Sequence, residues 1–578
     1  MINFFKTLRR VALVALFAST LYSCQTTEQQ QNRIRKEALQ EWKSMKFGLF
    51  IHWGIYSIPA GVWNGEQIKL LGEQIQRHAA IPHDVYAALA SQFNPVNFDA
   101  DAIVQLAKSA GMKYVVITAK HHDGFCMFDS AYTEFDIVDA TPYKKDILKQ
   151  LADACRKHGL KLGLYYSTPD WNFNIPHVDA DKLSVFGKVG EEHEQYQVNQ
   201  LRELLTNYGD IVELFFDMGE PTAAQSERFA KTVHETQPRC VINGRIMNNH
   251  GDFITMPDNH VPDVPVDSLA WETPGTFYHT WGYKSWVSGK GDPVDIQVRN
   301  QVRKLSTIVA RGGNFLLNIG PKSDGSVVEY EVDVLKGIGR WMATNGEAIE
   351  GVQSTPFVAL PWGECTVNDG KLYLHIHEWS GNGELVVDGL KSRVTAAYPL
   401  ADRGKQLDFS EGSNGYTIDL KGVEQDEYLT IVVLEIDGEP VVNHPIISQS
   451  GDNSFLLSGD SAINHGKYGR ESYRSILRDY YRSWDIDVVE PGLYEVVIIY
   501  SMRYDEKDFA IDIVGGSRLP FTLSGAGNEV AKAISIDGNE TTTEAKPKAK
   551  KGQIQRVEVG AIELDKRGRT TIQLVQGQ

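Results

Sequence analysis

Between about Lys36 and Ala348, short apolar segments alternate with segments of helical periodicity, and this pattern leaves few folds open to the chain. The apolar segments are nearly continuous, as expected for parallel strands buried on both faces. Strands alternating with helices over about 310 residues predict an α/β fold, a (β/α)8-like barrel. An open doubly wound sheet is the alternative, but no glycine-rich phosphate turn follows the first strand. The predicted strands are Phe47–His52, Tyr114–Thr118, Lys161–Tyr166, Val212–Asp217, Val241–Asn243, Leu269–Trp271 and Phe315–Asn318.

The pattern changes after Pro356 to short alternating strands separated by Gly, Asn and Asp turns. Such strands predict an antiparallel β-sandwich, and a further β-rich, sandwich-like module follows it. A carbohydrate-binding role for this module is one alternative, and a packing role for its aromatic residues is the other. The predicted parts are a signal peptide at 1–23, a tether at 24–35, the barrel at 36–350, the β-sandwich at 351–440 and the terminal module at 441–578.

The first 24 residues have the pattern of an export signal. Cationic residues precede an apolar stretch at 11–21 that is too short to span a bilayer. The stretch ends in Leu21-Tyr22-Ser23-Cys24, which resembles the lipobox of bacterial lipoproteins, in which the cysteine is lipidated. An ordinary secretory signal with a chance cysteine is the alternative. We therefore predict secretion across the inner membrane and lipid anchoring at Cys24, in the periplasm or on the outer-membrane surface.

Charge and cysteine content exclude several other classes of protein. The 58 Lys and Arg against 75 Asp and Glu give a formal charge of −17, which argues against a nucleic-acid partner. Five cysteines are too few for a disulfide scaffold, and none forms a CxxC pair. No later apolar run is long enough for a transmembrane helix, so we expect membrane contact only through the lipid anchor.

Polar, titratable or aromatic residues follow all the predicted barrel strands, and in such a barrel the active site lies at the carboxyl ends of the strands. Each residue alone has a structural explanation such as helix capping, but together they indicate one site. A zinc site of His52, His121, His122 and Asp217 is disfavoured, because adjacent histidines alternate in direction and no HExxH helix is present. We expect neither a metal nor another cofactor. The residues are His52-Trp53, Lys120–Asp123, Tyr166 with Asp170-Trp171, Asp217, Asn243 with Arg245, Trp271-Glu272 and Asn318.

Sugar chemistry fits this set of residues better than metal chemistry. Glycoside hydrolysis needs two carboxylates, and Asp217 and Glu272 supply a pair from different strands. It also needs hydrogen-bonding groups for hydroxyls and aromatic surface for the apolar face of the sugar. The aromatic candidates are Trp53, Trp171, Phe215 and Trp271.

Several long motifs, in the same order along the chain, resemble glycoside hydrolase family 29, the α-L-fucosidases. The resemblance covers roughly residues 36–440 and implies a barrel followed by a β-sandwich. It also implies hydrolysis of terminal α-L-fucosides in glycans or glycoconjugates, with retention of configuration and without a metal. The motifs are KFGLFIHWG at 46–54, AKHHDGF at 119–125, GLYYSTPDW at 163–171, ELFFDMG at 213–219, Trp271-Glu272 with Trp281-Gly282-Tyr283, and GGNFLLNIGP at 312–321.

The resemblance also implies roles for individual residues. Asp217 matches the nucleophile, and Glu272 matches the general acid/base of many members, with Asp258 and Asp263 as alternatives. Either Tyr166 or its neighbour Tyr165 points inward, because successive strand residues face opposite sides. Gln74 and Phe215 each stand where many members carry tryptophan. The expected sugar-binding residues are His52, Trp53, Glu73, His121, His122, Tyr166, Trp171, Phe215 and Arg245.

The Trp-Glu-Thr and Trp-Gly-Tyr motifs around Glu272 resemble the broad-specificity branch of the family. Two alternatives to a fucosidase stay open. One is a glycan-binding lipoprotein without catalytic activity. The other is a related exo-glycosidase that accepts L-galactose-like sugars, since L-fucose and L-galactose differ only at C6. The sequence makes no prediction of oligomeric state.

Overall fold

The computed structural model describes residues 29–577 except 174–181, 263–264, 267–268, 359, 445, 469–476, 502–505 and 525–553. The predicted signal peptide, the predicted lipidation site Cys24 and the alternative acid/base Asp263 lie outside the described residues. Within the described residues, no helix combines the length and the apolar character needed to cross a bilayer. The four cysteines in this part, at 126, 155, 240 and 365, are buried and unpaired.

Eight parallel strands of the described chain form one sheet in which neighbours follow the order of the sequence. The first strand pairs with both the second and the eighth. An isolated parallel bridge between Asn243 and Phe253 joins the two strands at the edges. This arrangement confirms the predicted (β/α)8-like barrel. The strands are β1 (Phe47–Ile51), β2 (Tyr114–Lys120), β3 (Lys161–Ser167), β4 (Ile211–Asp217), β5 (Val241–Ile242), β6 (Ile254–Thr255), β7 (Trp271–Thr276) and β8 (Asn314–Ile319).

Two of these strands differ from the sequence prediction. Strand β6 is only two residues long and was missed. Strand β7 begins at Trp271, where the predicted strand ends, and it continues through Pro274 and Gly275. Proline and glycine are poor strand formers, so the preceding apolar run gave the stronger strand signal. As a result Glu272 lies at the start of its strand, at the end of the barrel opposite the catalytic rim.

From Ala100 onward, the helices of the described chain fall on segments of helical periodicity, whereas those at 29–45, Ile75–His78 and His83–Ala87 are not predicted by the sequence pattern. Asp146 caps the helix Ile147–His158 by accepting a hydrogen bond from the Lys149 amide, and Gly159 ends this helix in the left-handed conformation. Residues 29–35, predicted as part of a tether, belong to the first helix. The helices are α1 (29–45), α2 (Ile75–His78), α3 (His83–Ala87), α4 (Ala100–Ser109), α5 (Ile147–His158), α6 (Glu191–Asn207), α7 (Ala223–Thr236), α8 (Val294–Ala310) and α9 (Glu329–Asn345).

The barrel has apolar packing on both faces of its sheet. A large outer core lies between the strands and the surrounding helices. A smaller inner core fills the barrel and includes Phe50, Tyr114, Tyr165, Phe215 and Leu316. Because alternate residues of each strand point inward, the inward residues near the carboxyl ends line whatever opens there.

A β-sandwich follows the barrel. Its four-stranded sheet contains β9 (Gly363–Asn368), β10 (Lys371–Ile376), β12 (Val394–Pro399) and β15 (Thr430–Ile436). Its three-stranded sheet contains β11 (Glu384–Asp388), β13 (Phe409–Gly412) and β14 (Gly415–Asp419). Tyr373, Tyr398 and Leu429 join the outer core of the barrel, and the Trp341 indole donates to the Leu429 carbonyl at 2.8 Å. The sandwich is therefore packed directly against the catalytic barrel.

The terminal region has a β-rich core of its own, to which Trp484, Ile486 and Ile572 contribute. The Trp484 indole donates to the Ser458 carbonyl at 2.8 Å, so this aromatic side chain serves packing. The strands are β16 (Ile446–Ser448), β17 (Ile463–Tyr468), β18 (Leu477–Val488), β19 (Gly492–Tyr500), β20 (Lys507–Ile513), β21 (Arg518–Leu523), β22 (Gln555–Leu564) and β23 (Gly568–Gln576).

Candidate active site

A cavity of about 310 Å³ opens at the carboxyl ends of the barrel strands. It combines carboxylates, imidazoles and cationic groups with aromatic rings, which is typical of sites that bind a sugar. Its lining is Phe50, His52, Leu70, Leu71, Glu73, Gln74, Arg77, His78, His121, His122, Tyr165, Val185, Phe215, Asp217, Met218, Arg245, Asp258, Pro274 and Trp281.

Asp217, the last residue of β4, is held by hydrogen bonds to both carboxylate oxygens. Tyr165 donates its hydroxyl proton to Oδ2 at 2.7 Å, and Arg245 donates from Nη1 to Oδ1 at 2.8 Å. The nearest ring nitrogen of His122 lies 3.7 Å from Oδ2. Only 10% of the Asp217 side chain is exposed, so this carboxylate is fixed in orientation and faces the cavity.

The backbone next to Asp217 is strained. Met218 has a φ of 61°, a conformation that non-glycine residues rarely adopt, and Gly219 follows with a φ of 80°. The turn sends the chain away from the barrel directly after β4, and Met218 itself lines the cavity. Backbone strain of this kind clusters at functional sites, where the surrounding structure holds it in place.

Arg245 links Asp217 to a second carboxylate. It lies in the turn Gly244–Ile246 that follows β5, and its Nη2 donates to Asp258 at 2.6 Å. The Asp258 side chain is 38% exposed, far more than that of Asp217. One guanidinium therefore holds two carboxylates at the cavity, one near its floor and one at its mouth.

Three histidines supply uncharged hydrogen-bonding groups to the cavity. Burial lowers the pKa of His52 to about 4, although its hydrogen bond to Asn318 opposes the shift. Burial, together with the charges of Lys120 and Arg77, lowers the pKa of His122 to about 3. Burial likewise lowers the pKa of His121, whose ring stacks on Tyr165 with 5.5 Å between centroids. All three are therefore neutral at physiological pH and suited to neutral hydroxyl groups.

Glu73 lies in the turn Gly72–Gln74, which forms part of the wall of the cavity. Its Oε2 accepts hydrogen bonds from the amides of Trp281 and Gly282 and from the Thr280 hydroxyl. Burial raises the pKa of this carboxyl group despite those donors. Its Oε1 is buried and has no hydrogen-bond partner among the described residues, as is also true of Nδ1 of His121.

The inward tyrosine on β3 is Tyr165, so the predicted role of Tyr166 is wrong. Tyr166 lies on the outer face of the sheet and donates its hydroxyl proton to Gln200 of α6 at 2.8 Å. Tyr165 pairs in register with Phe215, and both residues line the cavity.

Glu272 is not at the cavity, which contradicts its predicted position as the acid/base. It is fully buried at the start of β7, where its carboxyl group accepts a hydrogen bond from Tyr114, and the Glu213 charge contributes to raising its pKa. Pro274 on the same strand does line the cavity. Glu272 faces the same side of the strand, two residues or about 6.6 Å deeper in the barrel.

None of the three tryptophans predicted as sugar platforms lines the cavity: Trp271 belongs to the outer core, and Trp53 and Trp171 lie behind the cavity. Trp53 packs against Phe93 and Phe98 and donates its indole proton to the Lys322 carbonyl. Trp171 donates to the Ser184 carbonyl, and its ring lies 5.5 Å from that of His122. The exposed part of each ring is about 1%, so neither offers a free face to a sugar.

The predicted residues that do meet at the cavity are His52, Glu73, His121, His122, Phe215, Asp217 and Arg245, with Tyr165 and Asp258 from the alternatives. The sequence reading missed Trp281, whose ring lies 5.0 Å from that of His52. Trp281 belongs to the Trp281-Gly282-Tyr283 motif, but it lies in a loop between β7 and α8, where no strand end indicates a role at the rim. In the described part of the chain, no group of three or more His, Cys, Asp or Glu residues has the arrangement of a metal site.

Comparison with known proteins decides the family. The sequence model of the family described as alpha-L-fucosidase matches residues 15–347, more than half of the chain. The chain belongs to the α-L-fucosidase family. It is therefore a glycoside hydrolase, and the cavity described above lies within the part of the chain that matches.

Relatives of this α-L-fucosidase family member are found in animals and in a slime mould. The tissue alpha-L-fucosidase of Rattus norvegicus is 29% identical over 390 residues, which cover 62% of this chain and 80% of the relative. The alpha-L-fucosidase of Dictyostelium discoideum is 27% identical over 435 residues, covering 69% and 92%.

Solved fucosidase structures share the fold. The alpha-L-fucosidase from Vibrio sp. strain EJY3 superimposes with a TM-score of 0.70 and 28% identity, covering 94% of this chain and 95% of that one. A GH29 alpha-L-fucosidase from Bacteroides thetaiotaomicron, trapped as a covalent intermediate with 2-fluoro-fucosyl fluoride, has a TM-score of 0.63 and 27% identity. The second match covers 70% of this chain and 96% of that one.

Proposed function

We propose that the cavity around Asp217 is the active site of a retaining exo-α-L-fucosidase, which releases terminal α-L-fucose from glycans through a covalent fucosyl-enzyme intermediate. The observation that carries the assignment is the position of Asp217. Its carboxylate is oriented by Tyr165 and Arg245 and faces a cavity closed at its floor by the inner core. Such a pocket admits the end of a glycan rather than an internal unit.

In the first step a carboxylate oxygen of Asp217 attacks the anomeric carbon and forms an ester, while the bond to the leaving oxygen breaks and that oxygen takes a proton. In the second step water attacks the same carbon, loses its proton to the acid/base and releases the Asp217 carboxylate. Two inversions give net retention. The neutral imidazoles of His52, His121 and His122 hydrogen-bond the sugar hydroxyls.

Asp258 is our proposed acid/base. It lies at the mouth of the cavity, where the leaving group departs, and it is the more exposed of the two carboxylates. Both carboxylates bind the same guanidinium, which suits the separation of about 5–5.5 Å that retaining enzymes use. Asp258 must exchange its ion pair with Arg245 for a proton before it can act as the acid.

The nucleophile is tested with Asp217→Asn and an aryl α-L-fucoside. We expect kcat/KM to fall at least about a thousandfold, because the bond-forming group is lost. Treatment with 2-fluoro-fucosyl fluoride should label the wild-type chain on the peptide that contains Asp217, as judged by mass spectrometry. Full activity of the variant, or a label on another peptide, contradicts the assignment.

The acid/base is tested with Asp258→Asn and Glu272→Gln as a matched pair. Asp258→Asn should retain turnover of a 2,4-dinitrophenyl fucoside but lose most activity on poor leaving groups, and azide should restore activity as α-fucosyl azide. Glu272→Gln should change both classes of substrate by the same factor. If the leaving-group dependence appears in Glu272→Gln instead, Asp258 is the wrong residue.

We also propose that the chain is a lipoprotein anchored through Cys24 in the periplasm or on the outer-membrane surface. The support is the sequence of residues 1–24 alone. Metabolic labelling with a radioactive fatty acid should label the wild-type chain but not Cys24→Ala. An unlabelled wild-type chain that is released as a soluble protein overturns the anchor.

We propose broad linkage specificity, on the basis of the Trp-Glu-Thr and Trp-Gly-Tyr motifs. A panel of fucosyl-oligosaccharides of defined linkage tests the linkage specificity. Aryl α-L-galactosides, assayed beside the aryl α-L-fucosides, test the tolerance at C6. Hydrolysis of α-1,2-linked as well as α-1,3- and α-1,4-linked fucose is expected. Restriction to α-1,3/4-linked branches contradicts the proposal.

A further inference from the structure

One wall of the cavity, which we call the 70–78 wall, carries a cationic side chain that the proposed reaction does not use. The wall runs through the turn Gly72–Gln74 into the short helix α2. Besides Glu73, it presents to the cavity Leu70, Leu71, Gln74, Arg77 and His78. Arg77 is the residue that requires an explanation, because terminal fucose is a neutral sugar.

The two arginines at the cavity differ in their partners. Arg245 is held by Asp217 and Asp258. The structure gives the Arg77 guanidinium no hydrogen bond or ion pair with any residue it describes, although the group borders the cavity. Its field reaches the site, because the Arg77 charge adds to burial and Lys120 in lowering the pKa of His122.

The position of Arg77 indicates which part of a substrate it meets. It shares the 70–78 wall with Leu70, whose side chain is 59% exposed, so this wall extends to the mouth of the cavity. Asp258, our proposed acid/base, also lies at the mouth. Both therefore border the space that the leaving group occupies rather than the floor where Asp217 lies.

We propose, on the basis of the function proposed above, that Arg77 selects fucosides whose leaving group carries an anionic substituent, a sulfate ester or a carboxylate. A planar guanidinium donates two parallel hydrogen bonds to either group. His78 next to Arg77 adds a hydrogen-bonding group, and burial and the Arg77 charge lower its pKa, so it adds no second cation at neutral pH.

The test compares aryl α-L-fucosides that differ in the charge of the aryl group. The substrates are the 3-carboxyphenyl and 3-sulfophenyl fucosides, the sulfonate standing in for a sulfate ester, and the neutral 3-carbamoylphenyl fucoside. For each enzyme, the ratio of kcat/KM on an anionic substrate to that on the neutral one is measured. Because each ratio is then compared between wild type and variant, differences in leaving-group ability cancel.

We expect Arg77→Gln to lower this ratio roughly tenfold for at least one anionic substrate. The substrate whose ratio falls shows whether Arg77 prefers a carboxylate or a sulfonate. Arg77→Lys keeps the charge, so its ratio should lie between that of wild type and that of Arg77→Gln. Lys69→Gln is the matched control, since this exposed cation lies just outside the wall and should leave the ratio unchanged. Added salt should lower the wild-type ratio.

The inference is overturned if Arg77→Gln leaves both ratios within twofold of wild type, or if Lys69→Gln lowers them as much. It is also overturned if Arg77→Lys loses the ratio as fully as Arg77→Gln, because the effect is then not one of charge. Failure of the proposed function looks different, because in that case the wild-type enzyme hydrolyses none of the three fucosides. Thermal unfolding of each variant shows that a changed ratio comes from a folded enzyme.

Discussion

At the scale of single residues, two adjacent tyrosines on β3 allow the hydrogen bond to Asp217 to be separated from the packing of the barrel. The Tyr165 hydroxyl donates to Asp217, and the Tyr166 hydroxyl donates to Gln200 on the other side of the sheet. Burial raises the pKa of both tyrosines, so both keep the proton that they donate.

We predict that Tyr165→Phe lowers kcat/KM on an aryl fucoside by about 10- to 100-fold, because a hydrogen bond to a charged group contributes about 1.5–3 kcal/mol. Tyr166→Phe should leave kcat/KM nearly unchanged. It should lower the free energy of unfolding by about 1–3 kcal/mol, since Gln200 loses a buried donor. Steady-state kinetics and denaturant unfolding of the two variants measure both effects, and an inverted pattern would show that the orientation of β3 is misassigned.

The sequence could predict which residue types meet at the rim, but not which of two neighbours faces inward. A shift of one residue in a strand moves every side chain to the other face, and Leu-Tyr-Tyr-Ser is apolar or aromatic on both faces. The position of Asp217 does not depend on this choice of face, because Asp217 is the last residue of its strand. The roles of Trp53 and Trp171 could not be predicted in this way. The sequence does not distinguish a tryptophan that contacts the ligand from one that packs behind the residue that does.

At the level of secondary-structure elements, β4 and β7 each place one carboxyl group in the interior of the barrel. Glu213 and Glu272 are both fully buried and each affects the pKa of the other, and neither forms an ion pair with a residue that the structure describes. Trp42 donates to Glu213 and Tyr114 donates to Glu272. Burial and mutual repulsion both favour the neutral form of a carboxyl group, so the pair holds at least one proton in the folded protein.

This pair predicts a loss of stability as pH rises. Burial raises the pKa of Glu213 to about 7, and burial and the Glu213 charge raise that of Glu272. The folded state then binds more protons than the unfolded state, in which glutamate has a pKa of about 4.3. The free energy of unfolding should therefore fall as pH rises from about 4.5 through 7 and above.

We expect Glu272→Gln to make this fall shallower, because an amide donates to Glu213 without a titrating proton. Urea unfolding of wild type and Glu272→Gln at pH 5, 7 and 8.5 measures the effect. Glu350→Gln is a control at an exposed carboxyl group, paired with Lys113. Equal pH dependence in wild type and Glu272→Gln would show that the pair does not control stability.

Helix α1 closes the end of the barrel opposite the active site. Trp42 is fully buried, its indole donates to Glu213 at 2.8 Å, and its ring stacks on Phe253 with 4.1 Å between centroids. We predict that Trp42→Phe lowers the free energy of unfolding by about 1–3 kcal/mol through loss of the donor. Trp42→Ala should cost about 3–5 kcal/mol through the added cavity. Denaturant unfolding distinguishes these values, and equal losses would mean that the hydrogen bond contributes nothing.

The elements differ in how well the sequence predicts them, for a physical reason. The long helices carry a 3.6-residue apolar period and defined caps, as α5 does with Asp146 and Gly159. Strand β6 has two residues and no period at all, and β7 contains Pro274 and Gly275, which are poor strand formers. Because the predicted strand ends at Trp271, the sequence places Glu272 at the carboxyl end of a strand, among the catalytic residues. In the structure Glu272 lies at the start of β7, where it is buried.

At the scale of the whole molecule, the two β domains differ in how they relate to the barrel. The sandwich shares the outer core of the barrel, and Ser306 of α8 is hydrogen-bonded to His375 on β10 at 2.9 Å. The core of the terminal region consists of residues from that region alone, from Ile447 to Leu574. Its connection to the sandwich includes the bridge between Leu390 and Val442. The catalytic unit therefore consists of the barrel and the sandwich together.

We predict that a chain ending at His444 folds and hydrolyses an aryl fucoside with kcat/KM within about twofold of the full-length value, because no residue of the terminal core joins the core beneath the cavity. A chain ending at residue 350 should not fold, since it removes Tyr373, Tyr398 and Leu429 and exposes the outer core that they cover. Expression yield, thermal unfolding and kinetics of the two truncations beside the full chain provide the measurement. Loss of aryl-fucosidase activity in a folded chain ending at His444 would show that the terminal module supports the active site, whereas loss confined to large glycans would place its contribution in substrate capture.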